Sequence, residues 1–212
     1  MVQPIGAERS YHGTTYQESV RRSGILRYHA SLSGMGQYGR TTCCLARWRG
    51  KRSVIKSKVE KLADVLEEMK PLMLAHWQEV ATDQDKVPLE PQYNLYQDHE
   101  ANGRLLIVTL REKDAIVAYF VGVIAPGMHY LTCMTLTMDI FYICPEFRDV
   151  DSLGGFEREL LMSELFDQVK KEAIRRGVKR AYFGSKVYKD ASRFFESFGM
   201  TEIERWYSAY WG

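Results

Sequence analysis

The chain has 212 residues, 45% hydrophobic and 26% charged, which suits one ordinary domain plus an extension and the composition of a soluble globular protein. The longest apolar run, Ala115 to Pro126, is too short to cross a bilayer, so no membrane partner is expected. The formal net charge of +2 is uneven: residues 1–58 carry 11 Lys/Arg against two acids, +9, and the remainder carries 18 basic and 25 acidic residues, −7.

Met1 to Gln17 has no apolar stretch of the secretory-signal kind. Cys43, Cys44, Cys133 and Cys144 show neither CxxC nor zinc spacing, and adjacent Cys43 and Cys44 give no disulfide framework. A reducing, cytoplasmic location is expected, with no metal.

In chain order, residues 1–52 form a basic arm rich in Gly, Ser, Thr, Tyr and Arg, without a sustained period and therefore without a core of its own. The folded domain is expected over 53–212. Val54 and Ile55 suit a short first strand. Ser57 to Thr82 reads as helical, because Ser57 with Glu60 three residues on has capping-box spacing and Val59, Leu62, Val65, Leu66 and Met69 share a face. Pro71 is expected to break that run, with Leu72 to Val80 resuming as a second helix.

Glu90 to Asn102 predicts a short helix closed by Gly103. Arg104–Leu110 and Ala115–Ile124, separated by Glu112-Lys113-Asp114, predict an antiparallel hairpin, and Cys133 to Cys144 a further strand. Gly154 to Arg176 carries Phe156, Leu160, Leu161, Leu165, Val169 and Ala173 at helical spacing and ends at Gly177. Val178–Ser185 predicts a strand, Asp190–Phe198 a helix ended by Gly199, and Met200–Tyr210 a closing strand or pair of strands. The aromatic tail Trp206, Tyr207, Tyr210 and Trp211 is expected to pack on the core or a sheet edge. This order predicts an α+β domain: a mixed, mostly antiparallel sheet with helices on both faces.

One stretch carries chemistry. Asp139 to Arg148 reads as a strand turning at Pro145 into an Arg- and Gly-bearing loop, Arg148 to Gly155, that opens onto a helix. Loop N–H groups and a helix N-terminus together favour an anion, and a pyrophosphate-bearing cofactor is the natural occupant. The loop's own Asp149 and Asp151 oppose that, at roughly 1 kcal/mol per charge pair at about 4 Å in bulk water and more where water is scarce.

The element order from Ser53 to Gly212 resembles the GNAT superfamily of acyl-CoA-dependent N-acetyltransferases. The segments Asp139–Arg148, Arg176-Gly177-Val178, Ala191–Met200 and Leu74–Val80 resemble in particular the small GNAT proteins encoded by tailed bacteriophages. The resemblance implies acetyl-CoA as cofactor, with Phe141, Tyr142 and Ile143 offering groups to its pantetheine near a splay against the strand that ends at Ser185. It further implies Arg148, Gly154, Gly155 and Phe156 at the pyrophosphate. Asp139 becomes the candidate base; burial beside apolar neighbours would raise its pKa toward the useful range. Where the family places a tyrosine acid the chain has Phe195, which has no proton to give, and Tyr188 is the nearest substitute by sequence. His76, Trp77 and His129 are the candidate acceptor-lining residues, with helix packing the plainer reading of Trp77 and solvent exposure that of His129.

Two segments of the arm stand apart. Tyr11-His12-Gly13-Thr14-Thr15 resembles the opening NAD-binding motif of ADP-ribosyltransferase-like proteins, as a remnant or by chance, since about 50 residues without a core cannot house such a domain. The basic residues Arg21 to Lys58, interleaved with Tyr28, Tyr38 and Trp48, suit nucleic-acid phosphates or an acidic protein surface. Two functions follow: an N-acetyltransferase acting on a primary amine, or a GNAT-fold phage structural protein, in host cytoplasm or virion, whose arm docks in a larger assembly.

Overall fold

Six consecutive buried residues, Leu105 to Leu110, mark a strand covered on both faces. The strand is β2 (Leu105–Glu112), antiparallel to β1 (Ile55–Glu60) on one side and to β3 (Ala115–Gly127) on the other. β4 (Tyr130–Ile143) runs antiparallel to β3, and β5 (Val178–Tyr182) adds parallel to β4, so the sheet order is β1-β2-β3-β4-β5. Helices α1 (Leu62–Val80) and α2 (Tyr93–Ala101) cover one face; α3 (Gly155–Arg175) and α4 (Ser192–Ser197) cover the other. This is the expected mixed, mostly antiparallel sheet between helical layers. The computed structural model describes residues 54–127, 129–148 and 155–211, with only the backbone for 155–159. The arm 1–52, with its Tyr11–Thr15 motif, and the loop 149–154 lie outside the described residues.

Alternation along β2 divides the core in two. Leu106, Val108 and Leu110 join Phe120, Leu165 and Phe166 beneath α3, while Leu105 and Ile107 join Met69, Tyr119, Val121 and Tyr142 beneath α1. After β4 a single 3-10 turn, Pro145–Phe147, carries Phe147, which among the described residues is alone in packing against both cores.

Three expectations are corrected. Ser57 and Glu60 do not cap a helix; they lie in β1, where side chains alternate between partly buried Ile55, Ser57 and Val59 and exposed Lys56 and Lys58. Glu60 is buried at the strand end and accepts from Arg111 Nε (2.7 Å) and Thr109 Oγ1 (3.2 Å), with Lys58 Nζ also at 2.7 Å. Burial pushes its pKa up, but Lys58 and Arg111 outweigh that and hold the carboxyl below its ordinary value. The start of α1 is served instead from α2, where Glu100 Oε1 accepts from the Leu62 N–H at 2.6 Å.

Pro71 does not end α1. Leu62, Val65, Met69, Leu72 and Met73 form one buried stripe that continues in phase through the proline, so packing outweighs the lost hydrogen bond. Met200–Tyr210 forms no strand, and Ile203, Trp206, Tyr207 and Trp211 stand 70–94% exposed. The large apolar residues there fall three, one, three and one residues apart, a pattern that builds no strand face. Gly177, with φ +81°, ends α3 as expected.

Candidate functional site

The pairing of β4 with β5 stops early. Its last aligned pair is Thr137 with Tyr182, and β4 runs on through Met138–Ile143 without β5 beside it. On the other edge Cys144 N–H donates to Val117 O at 2.9 Å. In an antiparallel ladder the hydrogen-bonded pairs alternate. Tyr142 and Ile140, two and four residues before Cys144, therefore turn their backbone groups toward β3. Phe141 and Ile143 turn theirs the other way, into the splay. Two of the three expected pantetheine-facing residues thus present backbone there. Tyr142 does not, and its side chain joins the α1 face.

The Phe141 side chain anchors this edge from the α3 face. Its ring lies 5.0 Å from Phe166 and is stacked 6.4 Å from Phe194. Phe166 also meets Phe194, Phe183, Phe198, Phe195 and Phe120 at centroid distances of 4.9–6.1 Å. Phe195 is buried among these rings.

On the α1 face Asp139 owes its position to a β-bulge. Val121 is opposite Ile140 and Gly122 is opposite Met138, which leaves Asp139 as the extra residue of β4. At the same register shift Gly122 leaves room for two side chains: a Cβ there would lie 2.8 Å from both Leu136 Cδ1 and Phe120 Cε1. Asp139 is exposed, which corrects the expectation of burial, and Tyr96 Oη of α2 donates to its Oδ2 at 2.5 Å. Burial and the Asp139 carboxylate push the Tyr96 phenol far above its ordinary pKa, so it stays a donor. Nearby Tyr119 is fully buried, and its hydroxyl has no hydrogen-bond partner among the described residues.

His76 lies half-buried on α1 with its ring 5.4 Å from Tyr142. Burial, with Arg148, Lys186 and Lys189 adding their charges, lowers its pKa to about 4 against the opposing pull of Asp139. The imidazole is therefore neutral at pH 7. The Arg148 guanidinium sits 5.4 Å from the Tyr142 ring centre. It is held by a residue the sequence reading missed: Nη2 donates to Glu79 Oε2 at 2.7 Å and Nη1 to Glu79 Oε1. Lys189 Nζ meets the same Oε1, and Arg148 Nε is buried without a partner among the described residues. Glu79 stands one turn beyond His76 on α1, so the His-x-x-Glu spacing was the available signal.

Other candidates are not drawn into this group. Tyr188 is 59% exposed and its hydroxyl donates to the Val80 carbonyl at the end of α1. Ser185 Oγ accepts from Ala191 N–H (2.7 Å) and donates to Asp190 Oδ1 (3.1 Å), and Asp190 accepts from Ser192 N–H (2.9 Å). Ser185 is therefore engaged with Asp190 and Ala191 in the turn that precedes α4. Trp77 is half-buried on α1. His129 is exposed at the far end of β4, ten residues before Asp139 and roughly 30 Å away along the strand. Gly154 lies outside the described residues, Gly155 begins α3, and the Phe156 side chain is not among those described.

No protein-family model matches the chain, and no curated protein is significantly similar to it in sequence. Solved structures are similar in fold. An aminoglycoside acetyltransferase from an uncultured soil metagenomic sample superposes with a TM-score of 0.55 at 11% identity, over 74% of this chain and 95% of that one. Glucosamine-6-phosphate N-acetyltransferase from Arabidopsis thaliana gives 0.54 at 13% identity, over 76% and 100%. A predicted acetyltransferase with acetyl-CoA from Clostridium acetobutylicum gives 0.51 at 15%, over 74% and 96%. The fold is that of the GNAT acetyltransferases. At these identities the likeness is one of fold. Within this GNAT fold the splayed β4 edge, the bulged Asp139 and the His76–Tyr142–Arg148–Glu79 group lie along one stretch of β4 and the facing turns of α1.

Proposed function

We propose that the chain is an acyltransferase that moves the acetyl group of acetyl-CoA to a primary amine. The observation that carries this reading is that β5 stops beside Thr137 while β4 continues, with the Phe141 and Ile143 backbone turned into the splay. These groups fit the amides of a pantetheine arm laid along the strand as a partial extra ladder. Acetyl-CoA held there supplies a thioester: the C–N bond to the amine forms as the C–S bond breaks, the thiolate takes a proton from water, and the amine gives one up.

Asp139 is the residue that accepts the amine proton, and Tyr96 holds its carboxylate in place. The neutral His76 ring and Tyr142 line the approach without adding positive charge that would repel an ammonium ion. Tyr188 is tied to Val80 and is not needed as an acid, because a thiolate leaves readily. The binding of both reactants in one cleft supplies the larger part of the rate through proximity.

The test is calorimetric titration of acetyl-CoA, followed by thiol-release assays with a panel of primary amines. Micromolar binding and amine-dependent thiol release are expected. No binding at millimolar acetyl-CoA would end the proposal.

A further inference from the structure

We propose that Glu79 is the docking group for the ammonium of the acceptor, and that Arg148 and Lys189 withhold it until the pyrophosphate of the cofactor claims them. The inference rests on the acyltransferase reading above and adds an order of binding to it.

Glu79 already has two cationic partners. Its carboxylate receives both terminal nitrogens of Arg148 and the Lys189 ammonium. The Arg148 and Glu79 side chains are only 26% and 25% exposed, so water screens the pair weakly. Yet the arrangement is incomplete from the arginine's side, because Nε is buried and has no partner among the described residues. A guanidinium with one donor unmet suits a ligand with more oxygens and more charge than one carboxylate. A pyrophosphate has both, and it would draw Arg148 and Lys189 together.

The exchange leaves the Glu79 carboxylate half-buried and without its cations. Its neighbour one turn back is His76, whose ring adds no charge at neutral pH, and Asp139 is close enough to act on the charge of that ring. Glu79 then lacks the two cations that had paired it, and a primary ammonium can take their place. Asp139 takes the proton and Glu79 holds the position. Cofactor binding thereby raises amine affinity, and by linkage the amine raises cofactor affinity equally.

The test titrates coenzyme A into the wild-type chain and into Glu79→Gln, at fixed ionic strength, with ethylammonium chloride or with sodium chloride. Glu79→Gln is expected to bind coenzyme A about tenfold more tightly than wild type in sodium chloride. Ethylammonium is expected to tighten coenzyme A binding to wild type and to leave Glu79→Gln unchanged. If wild type binds coenzyme A and Glu79→Gln binds no more tightly, the inference falls while the acyltransferase reading stands. If neither chain binds coenzyme A, the reading falls and takes the inference with it. Should Glu79→Gln show no cooperative thermal transition, Glu79→Asp serves instead: one methylene shorter, its carboxylate is drawn back from Arg148 and Lys189, so it must tighten binding in the same direction or overturn the inference.

Discussion

Replacing Phe166 with alanine tests whether the aromatic cluster on the α3 face supports β4, the strand proposed to hold the cofactor. Phe166 is 2% exposed, and six phenylalanine rings surround it at centroid distances of 4.9–6.1 Å. Deleting a buried phenylalanine side chain costs about 3–5 kcal/mol, the upper part where neighbours cannot collapse into the space. Rigid rings on every side collapse poorly, so about 4 kcal/mol is expected, a large share of the roughly 5–15 kcal/mol typical of a domain. For a domain of this size that lowers Tm by about 8–16 °C. Urea titrations followed by circular dichroism should show a lower midpoint at unchanged slope. Because Phe166 bears on Phe141, the variant should also weaken acetyl-CoA binding. Met69→Ala, buried on the opposite face, should destabilise by a similar amount and leave that affinity unchanged. A loss below about 2 kcal/mol, or equal loss of affinity in both variants, would refute the reasoning.

Three further outcomes are expected. The Arg175 hydrogen bond, with Arg176 adding and burial opposing, lowers the Glu172 pKa to about 2, so its contribution to stability is full above the unfolded carboxylate value and is lost as pH falls toward 2. Glu172→Gln should flatten the acid limb of the stability curve between about pH 4.5 and 2, and an unchanged limb would contradict it. The His76 ring should titrate near pH 4 by NMR; since the unfolded chain takes its proton near pH 6.5, stability should decline as pH falls from there toward 4. A midpoint near 6.5 would mean the ring is not buried as described. Asp139→Asn should lower the rate of acetyl transfer by about 10²–10⁴-fold with coenzyme A affinity unchanged, and Tyr96→Phe should lower it less; equal rates for all three chains would remove Asp139 from the chemistry.

The elements legible in the sequence are those whose pattern is long and unambiguous. The hairpin of β2 and β3, the strand β4 and the helix α3 closed at Gly177 have runs of apolar residues long enough to show their period. β1 was legible only at its start, Val54 and Ile55, because Ser57 and Glu60 at capping distance imitate a helix start, and the partner that decides the matter, Arg111, lies 51 residues from Glu60. Pro71 misled for a related reason: a local rule was outweighed by a buried stripe that a proline does not interrupt. At the site, Arg148 and Asp139 were visible as residue types. Their pairing with Glu79 and Tyr96 was not, since the partners lie 69 and 43 residues away; only the spacing of Glu79 from His76 was local. The bulge beside Asp139 is a register shift against Val121 and Gly122 of the neighbouring strand, so β4 alone could not announce it.

Phe147 has a consequence for how the molecule registers what it holds. The sheet isolates its two helical layers from each other, yet this one ring leans on both and adjoins Arg148 along the chain. A ligand that draws on the guanidinium therefore pulls beside the one ring that, among the described residues, both layers share. Amide hydrogens beneath α1 and beneath α3 should slow their exchange together when coenzyme A binds, and Phe147→Ala should let one layer respond without the other.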